Sequence, residues 1–171
     1  MQVAAAVLAF GFCCSDNYSV QKKNIRDYQK MDITIDKSVA LNDVYAYSGL
    51  AGQREGDLDA VMATEDDESL EGMTKEAISE AEELLGEWGA VKKSQTPNQV
   101  IFSLSLPPNW DESMKPMLVE NLRQYLTYAV LVKWYGEVRK EDKLPYYISV
   151  KSGIAERIRK ILCKRNKPLR Q

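Results

Sequence analysis

A chain of 171 residues, 44% hydrophobic and 28% charged, has the length and apolar content of one globular domain and not of a disordered or fibrous protein. With 23 Lys and Arg against 25 Asp and Glu its net charge is −2, a sum that by itself excludes no class of partner, so the distribution of charge matters more. Histidine is absent, which removes the usual general base, imidazole metal ligands and Ser-His or Cys-His nucleophile pairs; Cys13, Cys14 and Cys163 are too few and wrongly spaced for a thiolate zinc site or a disulfide framework.

The first stretch, Met1 to Phe12, is apolar and runs into Cys13-Cys14-Ser15-Asp16. Its apolar core has the length of a secretory signal but lacks the basic start, and it is too short to span a bilayer as a helix, which takes about 20 residues. A lipoprotein signal places a small residue before the acceptor cysteine, whereas Phe12 precedes Cys13. A polar, aperiodic piece follows, up to Met31. Residues 1–30 are therefore expected to be an N-terminal extension or arm, with Met31 as an alternative start. The single folded domain is expected over 31–171.

From Met31, Ile33 and Ile35 the apolar positions alternate with Asp32, Thr34 and Asp36, the pattern of a half-exposed strand. Ser38 is expected to cap a short helix carrying Val39, Leu41, Val44 and Tyr45 and ending at Ser48-Gly49. Gly49 to Ala63 reads as a glycine-containing loop without a phosphate-cradling pattern. A second helix is expected from Thr64, with Glu65, Asp66, Asp67 and Glu68 at its positive end and Leu70, Met73, Ala77, Ala81, Leu84 and Trp88 along one face. Clustered carboxylates also suit hard cations, but the alternating oxygen ligands of a calcium loop are missing, so a capped helix start is the reading adopted.

Gly86, Gly89, Ser94, Pro97 and Asn98 break this helix, and Val100, Phe102, Leu104 and Leu106 alternate through a second strand closed by Pro107-Pro108. Asn109, Asp111 or Ser113 is available to cap the longest helix, Ser113 to Val138. Its front half is amphipathic through Met114, Leu118, Leu122, Tyr125, Ala129 and Val132. From Tyr125 to Tyr135 it is apolar nearly all round, which requires neighbours on more than one side. A last helix opens at Leu144-Pro145, buries Tyr147, Val150, Ile154, Ile158, Ile161 and Leu162, and leads into the basic tail Lys164 to Gln171. Cys163, among Ile161 and Leu162, is expected to be a buried thiol. The fold class is mainly α (α+β): a helical domain with a long central helix and two short β-strands.

Charge is partitioned along the chain. From Glu55 to Trp88 there are thirteen acidic residues against Lys75 alone, and from Glu156 to Gln171 seven basic residues against Glu156 alone. The basic end is a candidate for weak DNA contact, or for solvating a helix end and offsetting its dipole. The aromatic residues lie elsewhere, in Tyr125 to Tyr147, so it has no interleaved stacking platform for single strands. No catalytic, cofactor or metal motif is present, and the expectation is that the chain is not an enzyme.

The order of elements, with the strand VIFSLSLP, the helix ending LVKWY and the closing IRKILCKRNKPLR, resembles head–tail connector (adaptor) proteins of Bacteroidetes phages and prophages over about residues 31–171. The resemblance rests on Lys133-Trp134-Tyr135 and on Arg165, Lys167-Pro168 and Arg170. It implies a structural subunit in a homo-oligomeric ring between portal and tail proteins, found in the virion or in the host cytoplasm during assembly. The candidate interface residues are Trp134, Tyr135, Arg165, Lys167 and Arg170. The alternative is a surface or periplasmic lipoprotein anchored through Cys13 or Cys14; otherwise no membrane contact is expected.

Overall fold

The computed structural model describes residues 28–55, 67–96, 98–139 and 141–166. The elements run β1 (Gln29–Asp36), α1 (Lys37–Glu55), α2 (Asp67–Leu85), β2 (Val91–Gln95), β3 (Gln99–Leu106), α3 (Lys115–Glu137) and α4 (Leu144–Leu162), with single 3-10 turns at Gly86–Trp88 and Glu112–Met114. The protein is mainly α with a small antiparallel sheet, the α+β class expected.

The sheet has three strands in the order β1-β3-β2. β1 and β3 are the two expected strands, and β1 starts at Gln29, ahead of Met31, because Gln29 and Lys30 pair with Leu106 and Ser105. β2 is an addition that the sequence does not announce. Its residues Val91 to Gln95 show no apolar alternation, and pairing with β3 makes them a strand. Gly89 leads into it at φ 60°, a left-handed conformation natural to glycine, and its N–H donates to the Gly86 carbonyl at 3.0 Å. One sheet face, made by Ile33, Ile35, Val100, Phe102, Leu104 and Leu106, is fully buried, as alternation dictates.

α1 departs from expectation at both ends. Its cap is Asp36, whose Oδ1 accepts from the Ser38 N–H at 3.0 Å and from the Ser38 hydroxyl at 2.7 Å, so Ser38 is a donor inside the first turn. It also runs through Ser48-Gly49 to Glu55. The buried Ser48 hydroxyl donates to the Tyr45 carbonyl at 3.1 Å within the helix, so it does not stop it, and the assigned loop from Gly49 is helical up to Glu55. α2 begins at Asp67; Thr64, Glu65 and Asp66 lie outside the described residues. It buries Leu70, Met73, Ala77 and Ala81 as spaced, together with Ile78 and Leu85.

α3 is the centre. Asp111 caps the turn before it, accepting from the Ser113 N–H at 3.1 Å and the Ser113 hydroxyl at 2.6 Å, and Pro116 sits in the first turn, where a missing N–H costs nothing. Between Tyr125 and Tyr135 it buries Tyr125, Leu126, Thr127, Ala129, Val130, Leu131, Trp134 and Tyr135. α1, α2, α4 and β1 all pack on it, which accounts for apolar side chains pointing every way. α4 buries Tyr147, Ile154, Ile158, Ile161 and Leu162, with Val150 partly covered. Cys163 is exposed, contrary to the expected buried thiol: it stands just past the helix end, after Ile161 and Leu162 have taken the inward positions.

One further tie holds the C-terminal end of α4. Trp110 is 3% exposed, and its indole N–H donates to the Ile161 carbonyl at 3.1 Å. Beside it Asn166 N–H donates to the Asn109 carbonyl at 2.8 Å, and Trp110 forms an antiparallel bridge with Arg165. Trp110 thereby adds a second donor to a carbonyl of the last helical turn that also accepts from the Lys164 N–H at 3.0 Å.

Candidate interaction surface

α2 and α4 flank α3 and leave a cleft of about 490 Å³ between them. Glu80, Glu83, Leu84 and Glu87 form one wall, Lys151, Ser152, Ala155, Glu156 and Arg159 the other, and Tyr125 of α3 lies between. The two charge-biased segments of the sequence thus meet across a single groove.

Ion pairs cross it. Lys133 of α3 reaches Glu80 at 2.7 Å and Glu76 at 2.9 Å, and Lys151 of α4 reaches Glu80 at 3.1 Å. Partial burial raises the Glu80 carboxyl, but hydrogen bonds from Lys133 and Lys151 outweigh it and hold the group below the ordinary value of 4.5. A general acid needs the opposite shift, so Glu80 is built as an anionic tie between three helices. Because its folded pKa is depressed, the stability it contributes is complete above 4.5 and disappears as pH falls through the lower, folded value. Glu80→Gln is expected to cost about 1 kcal/mol at neutral pH, a solvent-screened magnitude, and almost nothing in acid below the folded pKa. Urea titrations of both proteins across that range check it, and parallel stability–pH curves would refute it.

On the other side of α3, a cavity of about 280 Å³ is lined by Asp43, Tyr47, Arg123, Gln124, Tyr128 and Arg157, among others. Arg123 is paired there with Asp43 of α1 and, at 2.6 Å, with Glu120; hydrogen bonding to Glu120 is the largest cause raising its pKa. Its charge is thereby neutralised within the molecule. Tyr47, Tyr128 and Tyr147 follow one another at centroid distances of 5.8 and 6.1 Å, and Tyr147 stacks on Tyr135 at 4.8 Å. Burial, with Tyr47 alongside, pushes the Tyr128 hydroxyl up to about 12. This row runs from the exposed Tyr47 to the fully buried Tyr135 and joins α1, α3 and α4.

That placement bears on the candidate interface. Trp134 is 6% and Tyr135 0% exposed, so both complete the core and neither presents a ring to a neighbouring molecule in this structure. The reason is that α4 covers the end of α3: Tyr147 stacks on Tyr135, and Lys143 Nζ lies 5.4 Å from its ring centroid. Arg165 is exposed, with its guanidinium donating to the Leu162 and Lys164 carbonyls at 2.7 and 2.8 Å. Lys167 and Arg170 lie outside the described residues, as do Cys13 and Cys14.

The residues that reach solvent are instead on α2 and α4. Glu71, Glu76 and Glu83 are exposed on α2, and Arg157, Arg159, Lys160, Lys164 and Arg165 at and beyond the end of α4. Arg159 and Lys160 stand in the last turn, at the negative pole of the helix. Charge periodicity in the sequence marks both faces; nothing in it shows that they share a groove. Among the described residues no group of three or more His, Cys, Asp or Glu side chains could hold a metal ion, and no helix is long and apolar enough to cross a membrane. Comparison with protein-family models, with curated proteins and with solved structures finds no match to this chain.

Proposed function

We propose that the chain is a non-enzymatic assembly subunit, a head–tail connector that forms a ring between the portal and the tail of a phage particle. The observation that supports this reading best is the partition of exposed charge between two helices, acidic along α2 and basic at the end of α4. In a ring each copy meets its neighbours through two different patches; Glu71 and Glu76 on α2 and Lys160, Lys164 and Arg165 at the end of α4 lie outside the shared groove, and opposite charge on such patches sets partner choice and register. The well-filled core around α3 gives each copy a rigid body to assemble. Trp134 and Tyr135 serve this role from inside, by holding α3 against α4, while Arg165 and its basic neighbours meet the next copy or the portal.

Native mass spectrometry and light scattering of the full chain, alone and with portal, test the proposal. The expected result is a closed cyclic species that forms on raising the concentration or on adding portal. It should dissociate as salt rises from ~0.1 to ~1 M, where the screening length falls from about 10 to 3 Å. A chain that stays monomeric and ignores portal would overturn it, and lipid on Cys13 or Cys14 of membrane-fractionated protein would replace it with the lipoprotein reading. Steep salt-dependent binding of duplex DNA without portal would point to phosphate contact instead.

A further inference from the structure

The sheet has two outer strands, and they are finished differently. β2 is short, changes register against β3 between Lys92 and Ser94, and contains Lys92 and Lys93. A bulge is a device that stops an edge from recruiting another strand. β1 has no register shift: its eight residues pair with β3 one for one, from Gln29 opposite Leu106 to Asp36 opposite Gln99. It contains neither proline nor glycine, and among the described residues no strand lies beyond it. Ile33 and Ile35 enter the core, while Lys30, Asp32 and Thr34 are exposed on the other face.

We propose that β1 pairs antiparallel with β1 of a second copy about a two-fold axis through Ile33, joining two three-stranded sheets into one. The register follows from the strand itself. Both copies must keep Ile33 and Ile35 on the core side, and since residues directly opposite share a face, odd-numbered positions must oppose odd-numbered ones. Two such registers set seven residues of β1 opposite one another, one centred on Asp32 and one on Ile33. The first sets Asp32 against its own copy, a like-charge pair that destabilises. The second sets Lys30 against Asp36, Asp32 against Thr34 and Met31 against Ile35, each twice by symmetry. Asp36 also caps α1, but a carboxylate has lone pairs for both Ser38 and a lysine.

The pairing uses neither α2 nor the basic end of α4 and is independent of the ring proposed above. A two-fold axis added to a ring makes its two faces identical, so the pairing belongs to the free chain, and a ring seated between portal and tail, whose faces differ, leaves β1 unpaired with another copy.

Sedimentation equilibrium of the full chain, combined with hydrogen exchange, is the test. The expected result is a reversible dimer whose formation slows exchange across Gln29–Asp36 and leaves Val91–Gln95 unchanged. Lys30→Glu, which sets like charges opposite at both ends, should weaken the dimer about tenfold. Adding Asp36→Asn, where asparagine still caps α1, should recover part of the loss. A monomer at every concentration, or a dimer indifferent to Lys30→Glu, would overturn the pairing. Protection that appears on α2 and α4 but not on β1 would overturn it while leaving the ring in place. A salt-resistant dimer with no larger species would support the pairing and remove the ring.

Discussion

Tyr135→Ala is expected to lower the unfolding free energy by about 3–5 kcal/mol, the range for removing a large aromatic side chain from a packed core. Domains are commonly stable by only about 5–15 kcal/mol, so the variant should be partly unfolded under mild conditions. The ring is fully buried, stacks on Tyr147 at 4.8 Å and sits under Lys143, so its removal opens a cavity where α3 and α4 meet. Tyr135→Phe keeps the ring and its stacking on Tyr147 and should cost at most about 1 kcal/mol. Urea unfolding followed by tyrosine and tryptophan fluorescence separates the two. A Tyr135→Ala protein as stable as the parent, yet unable to assemble, would return Tyr135 to an intersubunit role.

Trp110→Ala should be about as severe, at about 3–5 kcal/mol. The indole is almost wholly buried and also holds the Ile161 carbonyl, so the substitution opens a void and releases the last turn of α4. Hydrogen exchange is the informative readout: amides over Ile158 to Asn166 should exchange faster than the global stability loss alone requires, because the clamp by Asn109 and Trp110 on Arg165 and Asn166 goes with the ring. Trp110→Phe retains most of the packing and removes one of the two donors to the Ile161 carbonyl, which keeps the Lys164 N–H at 3.0 Å, a loss of about 1 kcal/mol. Uniform acceleration across the protein would mean that Trp110 acts as ordinary core filling. A localised effect would show that the basic end of α4, the face assigned to assembly, is positioned by this one side chain.

Local periodicity carried much of the architecture. Steps of three and four along α3 and α4, and of two along Met31 to Asp36 and Val100 to Leu106, name the buried positions because a regular backbone turns each spacing into a face. The all-round apolar run from Tyr125 to Tyr135 likewise required a surrounded helix, and α1, α2, α4 and β1 surround it. The acidic and basic faces were legible as segments.

What long-range packing decides was not. β2 has no apolar pattern of its own and exists because β3 offers it a ladder. Trp134 and Tyr135 read equally well as core or as interface, since an aromatic side chain at a helix end is finished only by what covers it, and here α4 does. Trp110 lies in a cap-and-turn stretch, and its partner Ile161 is remote in sequence. The sequence by itself determined which faces are apolar and which are charged. Only the tertiary structure decided which face covers which, because a spacing is a property of one segment and a contact is a property of two.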